Sequence, residues 1–283
     1  NCYPAEIPTQ WEFLSKFSRN ADGTRYYSAS AFSENDAVKL EKYDAAAFVT
    51  ALYQDLLNRD PDAAGLANWV DGLNDSTLTA ADVAAGFVNS SEFTGKNLSD
   101  SDYIDMLYQT LLGRAADAEG KADWQSALDK GLSRDYVLAG ILNSPEFAGV
   151  CEKYGVAAGR FTSPVEADAH PAICAFVTRL YNEVLGRTAD ESGFALWTTG
   201  LIQKTLTPDQ TAAGFIASTE YVSKNTGDSA YINMLFAALL NRTADSTGYN
   251  FWISQLTGGS DRLDVMKAFL GSQEFQTMAE NIQ

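Results

Sequence analysis

The strongest constraint on the fold of this chain is a six-residue pattern that occurs four times. Each copy reads Tyr or Phe, then Leu, Arg, Asp, Gly and Trp. The Asp follows the Arg by three residues, and the Trp follows the same Arg by ten. A fixed internal repeat indicates one structural unit used several times, so residues common to every copy are expected to serve the scaffold. The copies of the Arg, Asp and Trp are Arg59, Asp62 and Trp69; Arg114, Asp117 and Trp124; Arg187, Asp190 and Trp197; and Arg242, Asp245 and Trp252.

The spacing of the four tryptophans divides the repeats into two pairs. The first two are 55 residues apart, as are the last two, whereas 73 residues separate the middle two. The middle gap therefore carries an insertion of 18 residues. We predict an N-terminal cap or linker over 1–44, a first double repeat over 45–158, a connecting insertion over 159–174 and a second double repeat over 175–283.

Apolar residues within a repeat recur at helical spacing. In the first copy, Phe48, Leu52 and Leu56 share one face of a predicted helix, and Arg59 is expected in its last turn, near the negative end of the helix dipole. Asp62 is then expected to cap the N-terminus of a second helix. A third helix is predicted to start at Thr79, and at Ser133, Thr207 and Ser260 in the other copies.

A short fourth helix is predicted to begin at the Ser of a repeated Ser-x-Glu-aromatic motif, and no region alternates with the period of a strand. The sequence therefore predicts an all-α fold of tandem helical repeats, four copies of a three-to-four-helix unit. Gly86, Gly140 and Gly214 occupy one place in the third helix. Since glycine costs about 1 kcal/mol there relative to alanine, we expect a close crossing at that place, against the Trp ring.

The composition excludes some partners. The formal charge is −17, without a basic run, which argues against nucleic acid and anionic membrane surfaces. No stretch of 18 apolar residues is present, so we expect no membrane insertion. Because the chain begins at Asn1, we expect a mature product or an excised fragment.

Three cysteines allow one internal disulfide. Cys151 and Cys174 lie at the two edges of the insertion, and we predict a bridge between them. Cys2 could instead tie the N-terminal segment to either one. The remaining alternative is three reduced, buried thiols.

Three patterns resemble functional sites. The Arg–Asp pairs could hold an anion, but we interpret them as helix-end residues, with the repeated Glu92 position as a partner. Asp60, Asp62, Gly65 and Asp71 share part of the spacing of a calcium loop, which the other copies lack. His170 lies near Cys174 in a predicted loop, with no orienting acid. We therefore predict no catalytic residue, no metal and no cofactor.

Aromatic residues give the remaining candidates. The four repeated tryptophans are expected in the core. Trp11, Tyr26 and Tyr27 lie outside the repeat and are candidate ligand-binding residues, because exposed rings stack on sugars or anchor a protein partner. They could equally belong to a cap on the helical stack.

The Leu-Gly-Arg-x-x-Asp-x-x-Gly-x-x-x-Trp run, followed by Gly-Phe-x-x-Ser-x-Glu-Phe, resembles a bacterial family of unknown function numbered 4214. That family is in turn similar to the phycobilisome linker domain. The resemblance covers residues 46–283 and implies a helical module of secreted or cell-surface proteins, without agreed catalytic residues. We therefore expect a non-enzymatic interaction or scaffold module that binds a protein or cell-surface partner. The alternatives are a carbohydrate-binding module of a secreted glycan-active protein and a self-assembling linker.

Overall fold

The computed structural model of the chain describes residues 18–19, 25–26 and 44–282. Two short antiparallel strands, β1 (Ser18–Arg19) and β2 (Arg25–Tyr26), pair with Ser18 opposite Tyr26. The predicted ligand-binding residues Trp11 and Tyr27 lie outside the described residues. For Tyr26 the backbone is described and the side chain is not.

Residues 44–282 form 16 α-helices, four in each repeat, as the sequence predicted. No helix among the described residues combines the length and apolarity needed to cross a bilayer. Repeat 1 contains α1 (Ala45–Leu57), α2 (Ala63–Asn74), α3 (Ala80–Val88) and α4 (Ser91–Thr94); repeat 2 contains α5 (Asp100–Leu107), α6 (Ala118–Asp129), α7 (Arg134–Leu142) and α8 (Pro145–Tyr154); repeat 3 contains α9 (Pro171–Leu180), α10 (Glu191–Ile202), α11 (Pro208–Ile216) and α12 (Thr219–Val222); repeat 4 contains α13 (Asp228–Leu240), α14 (Ser246–Thr257), α15 (Arg262–Leu270) and α16 (Gln273–Glu280).

Side-chain caps fix most helix starts where the sequence predicted them. The carboxylate of Asp62 accepts a hydrogen bond from the backbone N–H of Gly65, at the start of α2. Thr79 and Asp82 form a complete capping box on α3, and Thr207 and Gln210 form the same box on α11.

Two predicted helix ends are wrong. The cap of α15 is Asp261 rather than Ser260, because the Asp261 carboxylate accepts from the N–H of Leu263. Arg59 lies beyond the last turn of α1, which ends at Leu57 with Asn58 in the left-handed conformation. Its guanidinium binds the carboxylate of Glu92.

The first helices of the two middle repeats end differently from those of the outer repeats. In repeats 2 and 3 they continue into one π-helical turn, over Tyr108–Leu112 and Tyr181–Leu185. Each turn is closed by a glycine with positive φ, Gly113 or Gly186. In repeats 1 and 4 the helix is α-helical to its end, and Asn58 and Asn241 take the left-handed position.

Two buried apolar clusters hold the repeats together. One is built from α1 to α8, the other from α9 to α16, and within each the first helices of the paired repeats contact each other. The predicted insertion is shorter than expected at its C-terminal side, because α9 begins at Pro171.

The connecting segment lies against the first double repeat as a strap, held by hydrogen bonds between residues 157–168 and the starts of α3 and α7. The carbonyls of Ala157 and Ala158 accept hydrogen bonds from the first two N–H groups of α3. The buried carboxylate of Asp168 accepts from the N–H of Ser133, at the start of α7, and from the hydroxyl of Ser163. Donors left free at two helix starts are thus satisfied by this segment.

Candidate interaction surface

The repeated arginine joins the end of one helix to the short fourth helix. Arg59 donates from Nε to Oε1 of Glu92 at 2.7 Å and from Nη2 to Oε2 at 3.0 Å, while its guanidinium lies 4.7 Å from the ring centroid of Tyr53. This bidentate geometry is the one in which arginine and carboxylate fit best. The same pair recurs as Arg114–Glu146, Arg187–Glu220 and Arg242–Glu274.

The carboxylates of these pairs are already bound, so they are poorly placed to accept a proton or to bind a ligand. The hydrogen bond from its arginine lowers the pKa of each glutamate below the ordinary value, for Glu92, Glu146, Glu220 and Glu274 alike. The pKa of each capping aspartate Asp117, Asp190 and Asp245 is lowered chiefly by the backbone N–H that it accepts from. The arginine, glutamate and aspartate of every repeat are therefore engaged with one another or with a helix start.

Each repeated tryptophan lies at the edge of a core cluster, half-buried, and not inside it as predicted. The predicted close crossing is present, since a Cβ added to Gly86 would lie 3.0 Å from Cη2 of Trp69 and one added to Gly214 would lie 2.9 Å from Cη2 of Trp197. In repeat 2, Nε1 of Trp124 also donates to the hydroxyl of Tyr108 at 3.1 Å.

The predicted disulfide is absent. Cys151 is a buried thiol in the first core cluster, whereas the thiol of Cys174 donates to the carbonyl of Ala167. Burial raises the pKa of both thiols to about 12. A neutral thiol is a poor nucleophile, and His170 contributes its backbone carbonyl to the N–H of Cys174. Cys2 lies outside the described residues.

The calcium-like spacing is used for other contacts. Asp60 accepts a hydrogen bond from the side chain of Gln54, and Asp62 caps α2. Among residues 44–282, no three His, Cys, Asp or Glu side chains are grouped so that they could hold a metal ion.

Two equivalent grooves lie where the two repeats of each pair meet. Adding 128 to a residue number in the first double repeat gives the equivalent position in the second. We call the cavity beside Arg134 the first groove and the cavity beside Arg262 the second groove. The first measures about 150 Å³ and the second about 290 Å³.

An arginine and a tyrosine make the same contacts beside both grooves, and we call this pair the arginine–tyrosine frame. Arg134 donates to Asp100 and to the carbonyl of Leu98, with its guanidinium 4.9 Å from the ring centroid of Tyr103. Arg262 donates to Asp228 and to the carbonyl of Thr226, and its guanidinium lies 4.9 Å from the ring centroid of Tyr231. Each tyrosine hydroxyl donates back to the carbonyl of its arginine.

The rims of the two grooves differ. Across the first groove, Nδ2 of Asn89 donates to Oδ1 of Asp135 at 3.0 Å. The equivalent residues at the second groove are Ala217 and Leu263, which cannot form that bond, and Val222 replaces Thr94. The second groove is thus larger and has an apolar rim.

The same difference appears at other exposed positions of the described residues. Apart from Val165 in the connecting segment, every exposed large apolar side chain among the described residues belongs to the second double repeat. They are Leu196, Val222, Phe251 and Leu263, each at least half exposed. The equivalent positions in the first double repeat are all polar: Asn68, Thr94, Asp123 and Asp135.

Sequence reasoning missed this surface, although its signal was present. The residues common to all four copies define the repeat, whereas this surface lies at positions where the copies differ. An alignment of the two double repeats at the 128-residue offset shows the four polar-to-apolar replacements directly.

The model of a family described as Domain of unknown function (DUF4214) matches the chain four times, over residues 28–97, 94–151, 165–225 and 212–279. No curated protein matches the chain.

Proposed function

The chain belongs to the DUF4214 family, and from that premise and the surface of its second double repeat we propose that it is a non-enzymatic interaction module that holds a protein partner. The observation that carries the proposal is the concentration of Leu196, Val222, Phe251 and Leu263 on one double repeat. Two of them, Val222 and Leu263, line the same cavity, and adjoining exposed apolar side chains mark protein interaction sites more often than scattered ones do. The location, secreted or at a bacterial cell surface, is part of the proposal and comes from the family resemblance.

The distribution of charge also supports the second double repeat as the half that contacts a partner. Residues 45–158 carry 17 acidic and 7 basic side chains, a net charge of −10, whereas residues 175–283 carry 11 and 7, a net charge of −4. Charged side chains cost free energy when an interface removes them from water, and interface cores are depleted of them. The second double repeat is therefore the half better suited to contact a partner, and the first is the half better suited to remain solvated.

The absence of catalysis is also a proposal, and the repeated pairs support it. A general base or nucleophile needs a group that is free to accept or donate during a reaction. The four glutamates are held by bidentate arginines, and three of the capping aspartates are also within about hydrogen-bonding distance of the same guanidinium groups.

The proposal is tested with a variant that removes the apolar surface. Leu196, Val222, Phe251 and Leu263 are changed together to Ser, and the control carries Asn68→Ser, Thr94→Ser and Asp123→Ser. A phage library of random peptides is panned on the immobilised wild-type chain. The enriched peptides are expected to bind the control as they bind the wild type, and to bind the fourfold variant at least about tenfold more weakly, a loss of about 1.4 kcal/mol.

Peptides that bind the fourfold variant and the wild type equally would overturn the assignment. A panel of soluble polysaccharides is measured on the same three proteins. Saturable binding of a polysaccharide, kept by the fourfold variant, would favour the carbohydrate-binding alternative instead.

One observation favours that alternative. A cavity of about 220 Å³ in repeat 4 is lined by the half-buried Trp252 and by Arg242, Asp245 and Glu274. An aromatic face beside hydrogen-bonding groups is an arrangement that suits a sugar. Trp252→Ala would abolish polysaccharide binding if this cavity were the site.

A further inference from the structure

We propose that the second groove binds a linear peptide segment of the partner through one large aliphatic or aromatic side chain with a basic residue next to it. This inference rests on the proposed function and names the partner chemistry for one part of its surface. It is carried by the shape of the groove, by its two unpartnered hydrogen-bonding groups and by the net charge of the chain.

The shape of the groove fits one side chain. Its floor contains Ile216 and Met266, both buried, and its rims are the exposed Val222 and Leu263. A volume of about 290 Å³ lies at the lower end of the range for small-molecule sites. Methionine adapts its conformation to differently shaped apolar groups, so the floor can accept either a leucine or a phenylalanine.

Two polar groups of the groove lack partners among the described residues. Nη1 of Arg262 donates to no described residue, because Nε and Nη2 make all the contacts to Asp228 and Thr226. The same is true of Nη1 of Arg134 at the first groove. The side-chain amide of Asn225 also makes none, whereas that of the equivalent Asn97 donates to the carbonyl of Gly95. Both offer N–H donors beside an apolar cavity. A peptide presents a carbonyl acceptor next to every side chain, which a hydrocarbon chain does not.

The charges beside the groove balance one another, so the preference for a basic peptide comes from the net charge of the chain. Asp228 compensates Arg262 at 2.6 Å, and the ammonium of Lys224 is turned to the carbonyls of Val184 and Leu185. The carboxylate of Asp261 lies at the adjoining helix start. With a net charge of −17 on the whole chain, a basic segment is attracted and a second copy of the same chain is repelled.

The first groove is a built-in comparison. It has the same arginine–tyrosine frame, but the Asn89–Asp135 hydrogen bond crosses it and its volume is about half. If the frame alone bound peptides, both grooves would bind them. If the open apolar rim is required, only the second groove binds.

The test uses the full chain with methyl-labelled methionine and amide NMR, titrated with the acetylated peptide Gly-Lys-Leu-Lys-Gly and its Phe analogue. The Met266 methyl and the Asn225 side-chain amide are expected to shift in a saturable way, while Met106 in the first double repeat does not. Replacing the anchor by Ser is expected to abolish the shifts. Replacing both lysines by Glu is expected to weaken binding at least about tenfold, with the difference shrinking as salt is raised.

The matched variant Ala217→Asn with Leu263→Asp installs the hydrogen bond of the first groove in the second. It is expected to weaken peptide binding at least about tenfold, and Leu263→Ser alone provides a milder change should the double variant fold poorly. The reverse variant, Asn89→Ala with Asp135→Leu, is expected to create new shifts around Tyr103.

The two proposals fail in distinguishable ways. If panned peptides are lost on Leu196→Ser with Phe251→Ser but bind Ala217→Asn with Leu263→Asp unchanged, the interaction module stands and the groove inference is overturned. If neither variant affects any peptide, both are overturned. Absence of a Met266 shift at saturating probe peptide also overturns the groove inference.

Discussion

The first and second double repeats of this chain build the same arginine–tyrosine frame beside grooves whose rims are opposite in character. Beside the first groove a hydrogen bond joins Asn89 to Asp135, and beside the second Ala217 and Leu263 leave the cavity open. The same contrast appears at Asn68 and Asp123 against Leu196 and Phe251. The residues that all copies share therefore hold the fold, and the residues that differ between the halves are where a function specific to this chain is expected.

The largest expected loss of stability comes from truncating a buried phenylalanine, and it tests whether the two double repeats unfold independently. Phe147 and Phe275 are fully buried equivalents in the two core clusters. Truncating either to Ala is expected to cost about 3–5 kcal/mol. Because the clusters are separate, Phe147→Ala should lower the amide protection of α1 to α8 only, and Phe275→Ala that of α9 to α16 only.

Hydrogen exchange followed by mass spectrometry measures this directly, with Phe→Leu at each position as the conservative control. Equal loss of protection in both halves after either change would show that the double repeats unfold as one unit. The comparison between them would then be a comparison of surfaces only.

The next effect concerns the crossing of the third helix over the tryptophan. A Cβ at Gly140 would collide with the ring of Trp124, whereas repeat 4 has Ala268 at that place. Gly140→Ala is expected to cost about 1–3 kcal/mol through overpacking, although alanine is the better helix former. Ala268→Gly is expected to cost about 1 kcal/mol from helix propensity alone.

Urea denaturation of the two variants separates the cost of overpacking from the cost of helix propensity. A stabilised Gly140→Ala variant would mean that the ring moves aside without cost, and the packing explanation for the repeated glycine would be wrong.

Much of the scaffold could be predicted from the sequence because local patterns set it. The aspartate cap at Asp62, the Thr79 capping box and the glycine–tryptophan crossing each follow from neighbouring residues or from one repeated position. The pairing of Arg59 with Glu92 joins residues 33 apart, and only the repetition of both made it predictable.

The parts that could not be predicted depend on tertiary geometry. Whether Cys151 and Cys174 meet depends on where the strap of the connecting segment places them, and the structure gives each its own buried surroundings. The edge position of the tryptophans was also missed, because composition and period show that a ring packs on a core but not how deeply. The role of Trp11, Tyr26 and Tyr27 stays a prediction.

A smaller effect is expected where repeats 2 and 4 differ by one hydroxyl. Nε1 of Trp124 has the hydroxyl of Tyr108 as its acceptor, but repeat 4 has Phe236, and Nε1 of Trp252 donates to no described residue. Phe236→Tyr is expected to supply the acceptor and raise the free energy of unfolding by about 0.5–1.5 kcal/mol. Tyr108→Phe should lower it by a similar amount.

Thermal denaturation of the two variants gives the sign, and the fluorescence of Trp252 reports the new contact. If Phe236→Tyr lowered the melting temperature, the hydroxyl would not fit above Gly248, whose added Cβ would lie 3.0 Å from Cζ of the phenylalanine.

The smallest expected effect concerns a feature that the two halves share. The pKa of Glu146 and that of Glu274 are both lowered from 4.5, chiefly by the hydrogen bonds from Arg114 and Arg242. A carboxylate whose folded pKa is depressed contributes stability that is fully present above its unfolded pKa and is lost as the pH falls through the folded value. Both pairs are therefore expected to stabilise the chain at neutral pH and to lose that contribution progressively below 4.5.

The variants Glu146→Gln and Glu274→Gln lack this contribution at every pH. The difference in unfolding free energy between wild type and each variant should be constant at neutral pH and shrink below pH 4.5, by the same amount in the two variants. Because both pairs are largely exposed, the difference should also decrease in high salt. A difference that grew on acidification would contradict the lowered pKa of the two glutamates, and a difference confined to one variant would show that the halves differ in their scaffold as well as in their surface.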